Sequence, residues 1–293
     1  LDNSVLAQAW AASAEVVRFD ERVHGRPTPM PGVLLWRELT TTNQHADAEA
    51  IATARLLTWG AHLPRDTTVE AALVEQARAI DRLRQAVDQP PSEEPAARTD
   101  VGERPDLPPL AEAALVFAAL EADAARCGVP ARTVDSVLAR RVRLHRLLRT
   151  RGLTRNTILP LASGLEAQTG GIAAVVTAWS RGSYEEPVTA LIASARLAFD
   201  TGRRLAVDLE RLHDDWTTRI GARHDSSAWR LADLLIEQPI VNAATISARL
   251  DVTPTAARTS VAALVEAGIL EPLSSARRHQ AWRAPAVLAA AGA

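Results

Sequence analysis

Between residues 188 and 216 the apolar side chains recur every three or four positions, which is the period of an α-helix. A capping-box pair, Ser183 and Glu186, stands just before this run and marks a helix N-terminus. The pattern predicts one long helix with a single buried stripe, formed by Val188, Ile192, Ala195, Phe199, Ala206, Leu209, His213 and Trp216. Because helical spacing also recurs through most of the chain, the predicted fold class is mainly α.

Three earlier segments carry the same spacing. One is predicted to begin at Thr67 and to end near residue 87, a second to begin at Leu110, and a third to run from Pro130 to a C-cap at Gly152. The stretch from 88 to 109 is rich in proline and charge and is predicted to be a linker or long surface loop. The predicted division is an N-terminal helical region (1–88), this linker (89–109), a helical core (110–222) and a small C-terminal domain (225–293).

Composition excludes several classes of function. The formal net charge of -2 gives no bulk attraction to nucleic acid or to an anionic membrane. The chain has no lysine, which rules out Schiff-base chemistry and the P-loop phosphate grip. Cys127 is its only cysteine and the seven histidines are scattered, so neither a disulfide framework nor a metal site is predicted. Without a long apolar run or a signal-peptide pattern, a cytoplasmic protein is expected.

The C-terminal segment changes character. Three helices, the last two joined by the turn "DVTP" and the third closed by Gly268, are followed by two strand-like pieces around an arginine-bearing turn. This order is typical of a winged helix-turn-helix. Short or polar residues in the first half of its third helix are the predicted base and phosphate contacts: Thr253, Thr255, Ala256, Arg258 and Thr259. In the hairpin, Arg277, Arg278 and His279 are predicted to touch the DNA backbone or minor groove.

The charge of this segment favours only weak binding to DNA. Residues 226 to 293 hold six arginines against five acidic residues, and phosphate neutralisation dominates nonspecific affinity. Homo-oligomerisation would double the charge and match a palindromic site. A winged helix used for protein contact or dimerisation is the open alternative.

The segment "LHRLLRTRGLTRNTILPLASGL", residues 144 to 165, resembles the sequence that follows the active-site loop of the Fic (Fido) family. "ARHDSSAWRLADLLIEQPIVNAATISARLDVT" and "ALVEAGIL" are similar to the C-terminal domain of its actinobacterial members. The resemblance implies a helical Fic core, which usually transfers AMP to proteins, followed by a winged helix.

The catalytic motif of that family, HPFxxGNGRxxR, is degenerate here. Matched without gaps, the family's histidine falls on Pro130 and its acidic metal ligand on Val134. The glycine-rich turn falls on Asp135, Ser136 and Val137, and the first arginine on Leu138. Only the second arginine matches, at Arg141. Proline cannot act as a base, valine binds no metal, and a turn without glycine keeps its backbone away from phosphate. No catalytic residue is therefore predicted.

Two regulatory features of the family are also missing from the sequence. The glutamate of its inhibitory helix falls on Ala46, after Thr42, and Glu49 nearby is expected to be solvated. The proline-rich segment stands where the family's substrate-clamping flap belongs.

These observations predict a catalytically degenerate Fic-like protein that acts as a DNA-binding or regulatory module and forms homo-oligomers, with no cofactor and no membrane contact. Arg141 is the candidate for a residual anion site; alternatively, it and His145 lie on a helix stripe, and their long side chains extend from its edge to solvent or pair with a carboxylate. Two other functions stay open. One is an active nucleotidyltransferase with a divergent site, using ATP and magnesium, and the other is a scaffold that holds a protein partner in the former active-site groove.

Overall fold

The computed structural model of the chain describes most of its residues, namely 1–24, 38, 48–64, 67–71, 73–75, 77–78, 81, 85, 104, 106–126, 134–221, 223, 226–275 and 278–291. The chain divides into two compact units. Unit 1 comprises Leu1–Arg26, Arg37–Thr42 and Ala79–Gly202, and unit 2 comprises Pro27–Trp36, Asn43–Arg78 and Arg203–Ala293. No helix among the described residues is both long enough and apolar enough to cross a membrane.

The described helices bear out the mainly α fold class. In chain order they are α1 (Asn3–His24), α2 (Ala48–Thr58), α3 (Pro109–Arg126), α4 (Val134–Thr150), α5 (Leu161–Glu166), α6 (Gly171–Ser180), α7 (Glu185–Arg219), α8 (Ser227–Glu237), α9 (Ala243–Leu250), α10 (Pro254–Glu266) and α11 (Pro285–Ala291). Three short strands accompany them: β1 (Ile240–Asn242), β2 (Glu271–Pro272) and β3 (Ala281–Arg283).

Unit 1 is built around α3, which packs against α1, α4 and α6. The α3 sequence is apolar on nearly every side, and its alanines let neighbouring helices approach closely, so the helix is buried almost all round. The hydrophobic core of unit 1 contains Phe117 of α3 and Leu144 of α4, together with Val188 and Ile192 from the first half of α7.

Unit 2 joins α2 to the C-terminal elements. Its sheet has the order β1-β3-β2, and both pairings are antiparallel. Helix α10 packs on α8 and α9, while α2 contacts β1 and α11. The compact units therefore cross the predicted sequential boundaries, because α2 groups with residues from 203 onward and α1 groups with α3.

Several sequence predictions can be compared with this structure. The stripe of α7 is buried, with Phe199 and His213 half-buried, and Gly152 and Gly268 end α4 and α10 with φ of 71° and 65°. Helix α3 begins at Pro109, and most of the predicted linker lies outside the described residues. Strand β1 and helices α1, α2, α5, α6 and α11 were not predicted individually. The expectation that Glu49 is solvated was wrong, because its carboxylate accepts hydrogen bonds from Arg283 Nη1 at 2.8 and 3.1 Å.

Candidate nucleic-acid interface

The turn between α9 and α10 sets the start of the predicted recognition helix. Asp251 ends α9 in the left-handed conformation, with φ of 50°. The hydroxyl of Thr253 then caps α10 by accepting a hydrogen bond from the backbone N–H of Ala256 at 3.2 Å. Pro254, in the first turn, has no N–H to leave unsatisfied. Local sequence therefore determines where α10 begins and which residues form its first two turns.

The predicted contact residues of α10 lie mainly on its solvent side. Thr253, Thr255, Arg258 and Thr259 are exposed, and Ala256 is half-buried. The opposite side of the helix carries the buried residues Ala257, Ser260, Val261 and Leu264. The hydroxyl of Thr259 donates to the carbonyl of Thr255 at 3.1 Å, and its oxygen stays available as an acceptor. The sequence pattern thus located the exposed face of this helix.

The hairpin brings two of its three predicted contact residues to the surface. The N–H of Leu273 donates to the carbonyl of Ala281 at 2.8 Å and continues the pairing of β2 with β3. Arg278 and His279 follow the turn and are exposed, and His279 has a positive φ of 55°. Arg277 lies outside the described residues.

Arg283 differs from Arg258 and Arg278 in its bonding partners. Arg283 is a structural group, because its guanidinium binds Glu271 through Nε at 2.6 Å and Glu49 through Nη1. The hydrogen bond to Glu271 and the nearby Glu49 carboxylate raise the pKa of Arg283 above its ordinary value. Arg258 and Arg278, by contrast, form no ion pair with any carboxylate in the described part of the chain. These two charges are free to meet an anionic partner.

Three further residues of unit 2, Trp59, His62 and Arg249, make contacts with or near these elements that no sequence pattern predicted. The guanidinium of Arg249, near the end of α9, lies 3.7 Å from the ring centroid of Trp59. The ring of His62 lies 5.5 Å from that of His279 in the hairpin. Trp59 and His62 follow α2, far from the C-terminal elements in sequence, so spacing arguments could not connect them.

The predicted anion residue, Arg141, lies in the interior of unit 1. Its side chain is 1% exposed, and its guanidinium carbon lies 4.9 Å from the centroid of the Phe117 ring. Glu121 Oε1 lies 3.5 Å from Arg141 Nη1 and 2.9 Å from Arg140 Nε. No described residue accepts a hydrogen bond from Nε or Nη1 of Arg141. The observed neighbours of Arg141 are thus a carboxylate and an aromatic ring, and its role as an anion site stays a prediction.

One turn further along α4, His145 is also buried. Its Nε2 lies 3.1 Å from Oε1 of Glu38, and Oε2 of Glu38 accepts the backbone N–H of Ala162 at 2.8 Å. Pairing with a carboxylate was one of the alternatives that the sequence left open for His145, and nothing in the sequence pointed to Glu38. Of the positions matched to the Fic motif, Pro130 lies outside the described residues. In the part of the chain that is described, no three His, Cys, Asp or Glu side chains form a group that could hold a metal ion.

Comparison with known proteins finds no protein family that matches the chain, and no curated protein that matches it. The resemblance to the Fic family therefore stays a prediction.

Proposed function

We propose that residues 226–293 form a winged helix-turn-helix that binds duplex DNA, with α10 in the major groove and the β2–β3 hairpin as the wing. The order helix, strand, helix, helix, strand, strand and the sheet order β1-β3-β2 support this assignment. The observation that carries the proposal is Arg258, an exposed arginine on the first half of α10 that pairs with no carboxylate among the described residues and is flanked by short polar side chains.

The chemistry of the exposed α10 face fits base readout. Arg258 offers a planar pair of donors suited to the O6 and N7 acceptors of guanine. Thr255 and Thr259 each bring a hydroxyl and a methyl group, which suit phosphate oxygens and the thymine methyl. Further along the helix, Val265 and Glu266 are exposed, and neither favours contact with phosphate. The half of α10 nearest its N-terminus is therefore the half that enters the groove.

A homodimer is part of this proposal. The small excess of arginine over acidic residues in residues 226–293 gives one copy little affinity for phosphate. Two copies related by a twofold axis present two recognition helices to a palindromic site and double the number of phosphate contacts.

We infer a regulatory role in the cytoplasm, in which the Fic-like helical body has lost its catalytic motif and serves the DNA-binding domain. Calorimetric titration with ATP and magnesium tests this part of the proposal. No heat and no thermal stabilisation are expected, because the base, the metal ligand and the glycine turn of the motif are absent from the sequence. Binding at micromolar ATP would instead support a divergent nucleotidyltransferase.

Selection from a random duplex library with the 293-residue chain tests the proposed DNA binding. Enriched sequences are expected, and their affinity should be measured by fluorescence anisotropy for the wild type and for Arg258→Ala. A lost base contact costs about 1–3 kcal/mol and relaxes preference at one position of the site. Arg211→Gln, on α7, removes the same charge from a side chain that is 78% exposed and serves as the control. A wild-type chain that enriches no sequence and binds no duplex at low salt would overturn the proposal.

A further inference from the structure

Two guanidinium groups of unit 2 lie over the ring of Trp59. One belongs to Arg55, which is 2% exposed and donates through Nη1 to the carbonyl of Glu237 at 3.2 Å. Its guanidinium carbon lies 4.8 Å from the Trp59 ring centroid. The other belongs to Arg249, which is exposed and whose guanidinium carbon lies closer, at 3.7 Å. Stacking orients a guanidinium while its N–H edges stay free for a phosphate.

The charge of Arg249 is not neutralised within the described part of the chain. No described carboxylate forms an ion pair with it, although the exposed Asp251 follows two residues later. Many surface arginines of this protein do pair with an acidic neighbour, as Arg219 does with Asp215 at 2.7 Å. Arg249 is instead held by an aromatic ring, which fixes its position and leaves its charge available.

The loop that carries Trp59 is fixed at both ends. Gly60 adopts a φ of 76° at the end of α2, and the N–H of Ala61 donates to the carbonyl of Leu56 at 3.0 Å. The amide of Asn242 donates to the carbonyl of His62 at 3.3 Å. The same Asn242 side chain caps α9 by accepting from Thr245 N at 2.8 Å. The loop is therefore tied to the N-terminus of α9 as well as to its own helix.

This loop connects the end of α9 to the wing. Trp59 contacts Arg249, and His62, three residues later, contacts His279 of the hairpin. Three residues span at most about 11 Å. Each DNA strand carries one phosphate per about 3.4 Å of helix axis, so this span corresponds to at most about three phosphates.

We propose that Arg249, held on Trp59, together with His62 and His279 forms a second DNA-contacting surface that binds the phosphodiester backbone next to the bases read by α10. This inference rests on the proposed DNA binding. It extends the binding surface to the loop that follows α2, which lies far from the C-terminal domain in sequence. The surface binds phosphate without reading sequence, because it offers charge and N–H donors but lies outside the predicted recognition helix.

The test is the salt dependence of binding by the 293-residue chain to a duplex of random sequence, about 30 base pairs long. The slope of log K against log salt concentration is negative, because salt weakens binding to phosphates. Arg249→Gln should make this slope less steep by about 0.9, the change for one phosphate contact. At 0.1 M salt this corresponds to an affinity loss of about eightfold. Arg249→Lys should keep the slope, because the charge remains. Arg211→Gln, with the same change in net charge, should also keep it.

The outcomes separate the two proposals. A wild-type chain that does not bind the duplex overturns the DNA-binding function itself. If the wild type binds and Arg258→Gln weakens binding, but Arg249→Gln behaves like Arg211→Gln, only the second surface is overturned. The second surface would also be overturned if Arg249→Lys reduced the steepness of the slope as much as Arg249→Gln does. The loss would then come from lost packing on Trp59 and not from lost charge.

Discussion

The Nε2 atom of His145 lies 3.1 Å from Oε1 of Glu38, and both side chains are buried in unit 1. The second carboxylate oxygen of Glu38 accepts the N–H of Ala162 at the start of α5. One residue thus connects α4 to α5 through a polar network that water does not reach. Such a pair is costly to break, because each remaining partner stays buried and unsatisfied.

Glu38→Leu should lower the free energy of unfolding of unit 1 by about 3–5 kcal/mol, the usual cost of removing one partner of a buried pair. Urea titration followed by circular dichroism measures it. The double variant Glu38→Leu with His145→Phe should recover part of the loss, because no polar ring is then left without its partner. A single variant as stable as the wild type would show that the pair makes no net contribution.

A second prediction concerns Asp20, a buried carboxylate on α1. Its two oxygens accept the backbone N–H groups of Arg155, Asn156 and Thr157 at 2.8 to 3.1 Å. Hydrogen bonds to a charged group contribute about 1.5–3 kcal/mol each, so Asp20→Ala should cost at least about 3 kcal/mol. Hydrogen exchange of the peptide that covers residues 155–157 should accelerate in the variant. Asp214→Ala, at an exposed position on α7, is the control and should leave that exchange unchanged.

The third prediction concerns the crossing of α5 and α7 at Gly164. A Cβ atom at this position would lie far inside van der Waals contact with the backbone oxygen of Ser194, and backbone cannot move aside cheaply. The hydroxyl of Ser194 also donates to the carbonyl of Leu161 at 2.6 Å, which holds the crossing close. Gly164→Ala should therefore lower the free energy of unfolding by about 1–3 kcal/mol. Gly221→Ala, where a Cβ atom would meet no neighbour among the described residues, should have little effect in the same urea titration.

A fourth prediction concerns pH and Asp233 on α8. Burial raises the pKa of this carboxyl, and the charge of His213 opposes the shift. The folded protein therefore holds this proton more tightly than the unfolded chain does, and the contribution to stability is lost as pH rises from the ordinary value of 3.8 through the raised pKa. Part of the side chain stays exposed, so the effect is small. Unfolding free energies of the wild type and Asp233→Asn between pH 3 and pH 7 should diverge in this way, with the variant relatively more stable at pH 7. Parallel curves would contradict the assignment.

The fifth prediction separates the wing from the recognition helix. Removing Arg277 and Arg278 together should weaken binding to all duplexes about equally, because wing contacts are made to phosphates. The slope of log K against log salt concentration should become less steep by up to about 1.8. Arg258→Ala should instead alter the preferred sequence. Repeating the library selection with each variant measures the difference. A changed sequence preference in the double wing variant would show that the hairpin reads bases.

Periodicity and capping residues were sufficient to predict much of the local structure. The stripe of α7, the C-cap glycines at residues 152 and 268 and the solvent side of α10 all follow from interactions within a few residues along the chain. These interactions depend on side-chain spacing and backbone conformation, which a sequence states directly.

Only the tertiary structure could decide which distant segments meet. Glu38 with His145, Asp20 with the loop at 155–157, and Trp59 with Arg249 are pairs separated by about 100 residues or more in sequence. Nothing in local spacing encodes such pairs, because each depends on how whole helices pack. The sequence by itself predicted the mainly α fold class, the long helix α7, the C-caps at Gly152 and Gly268 and the solvent side of α10 that carries Arg258. The tertiary structure places Arg249 against Trp59, in the loop after α2, and buries Arg141 beside Phe117.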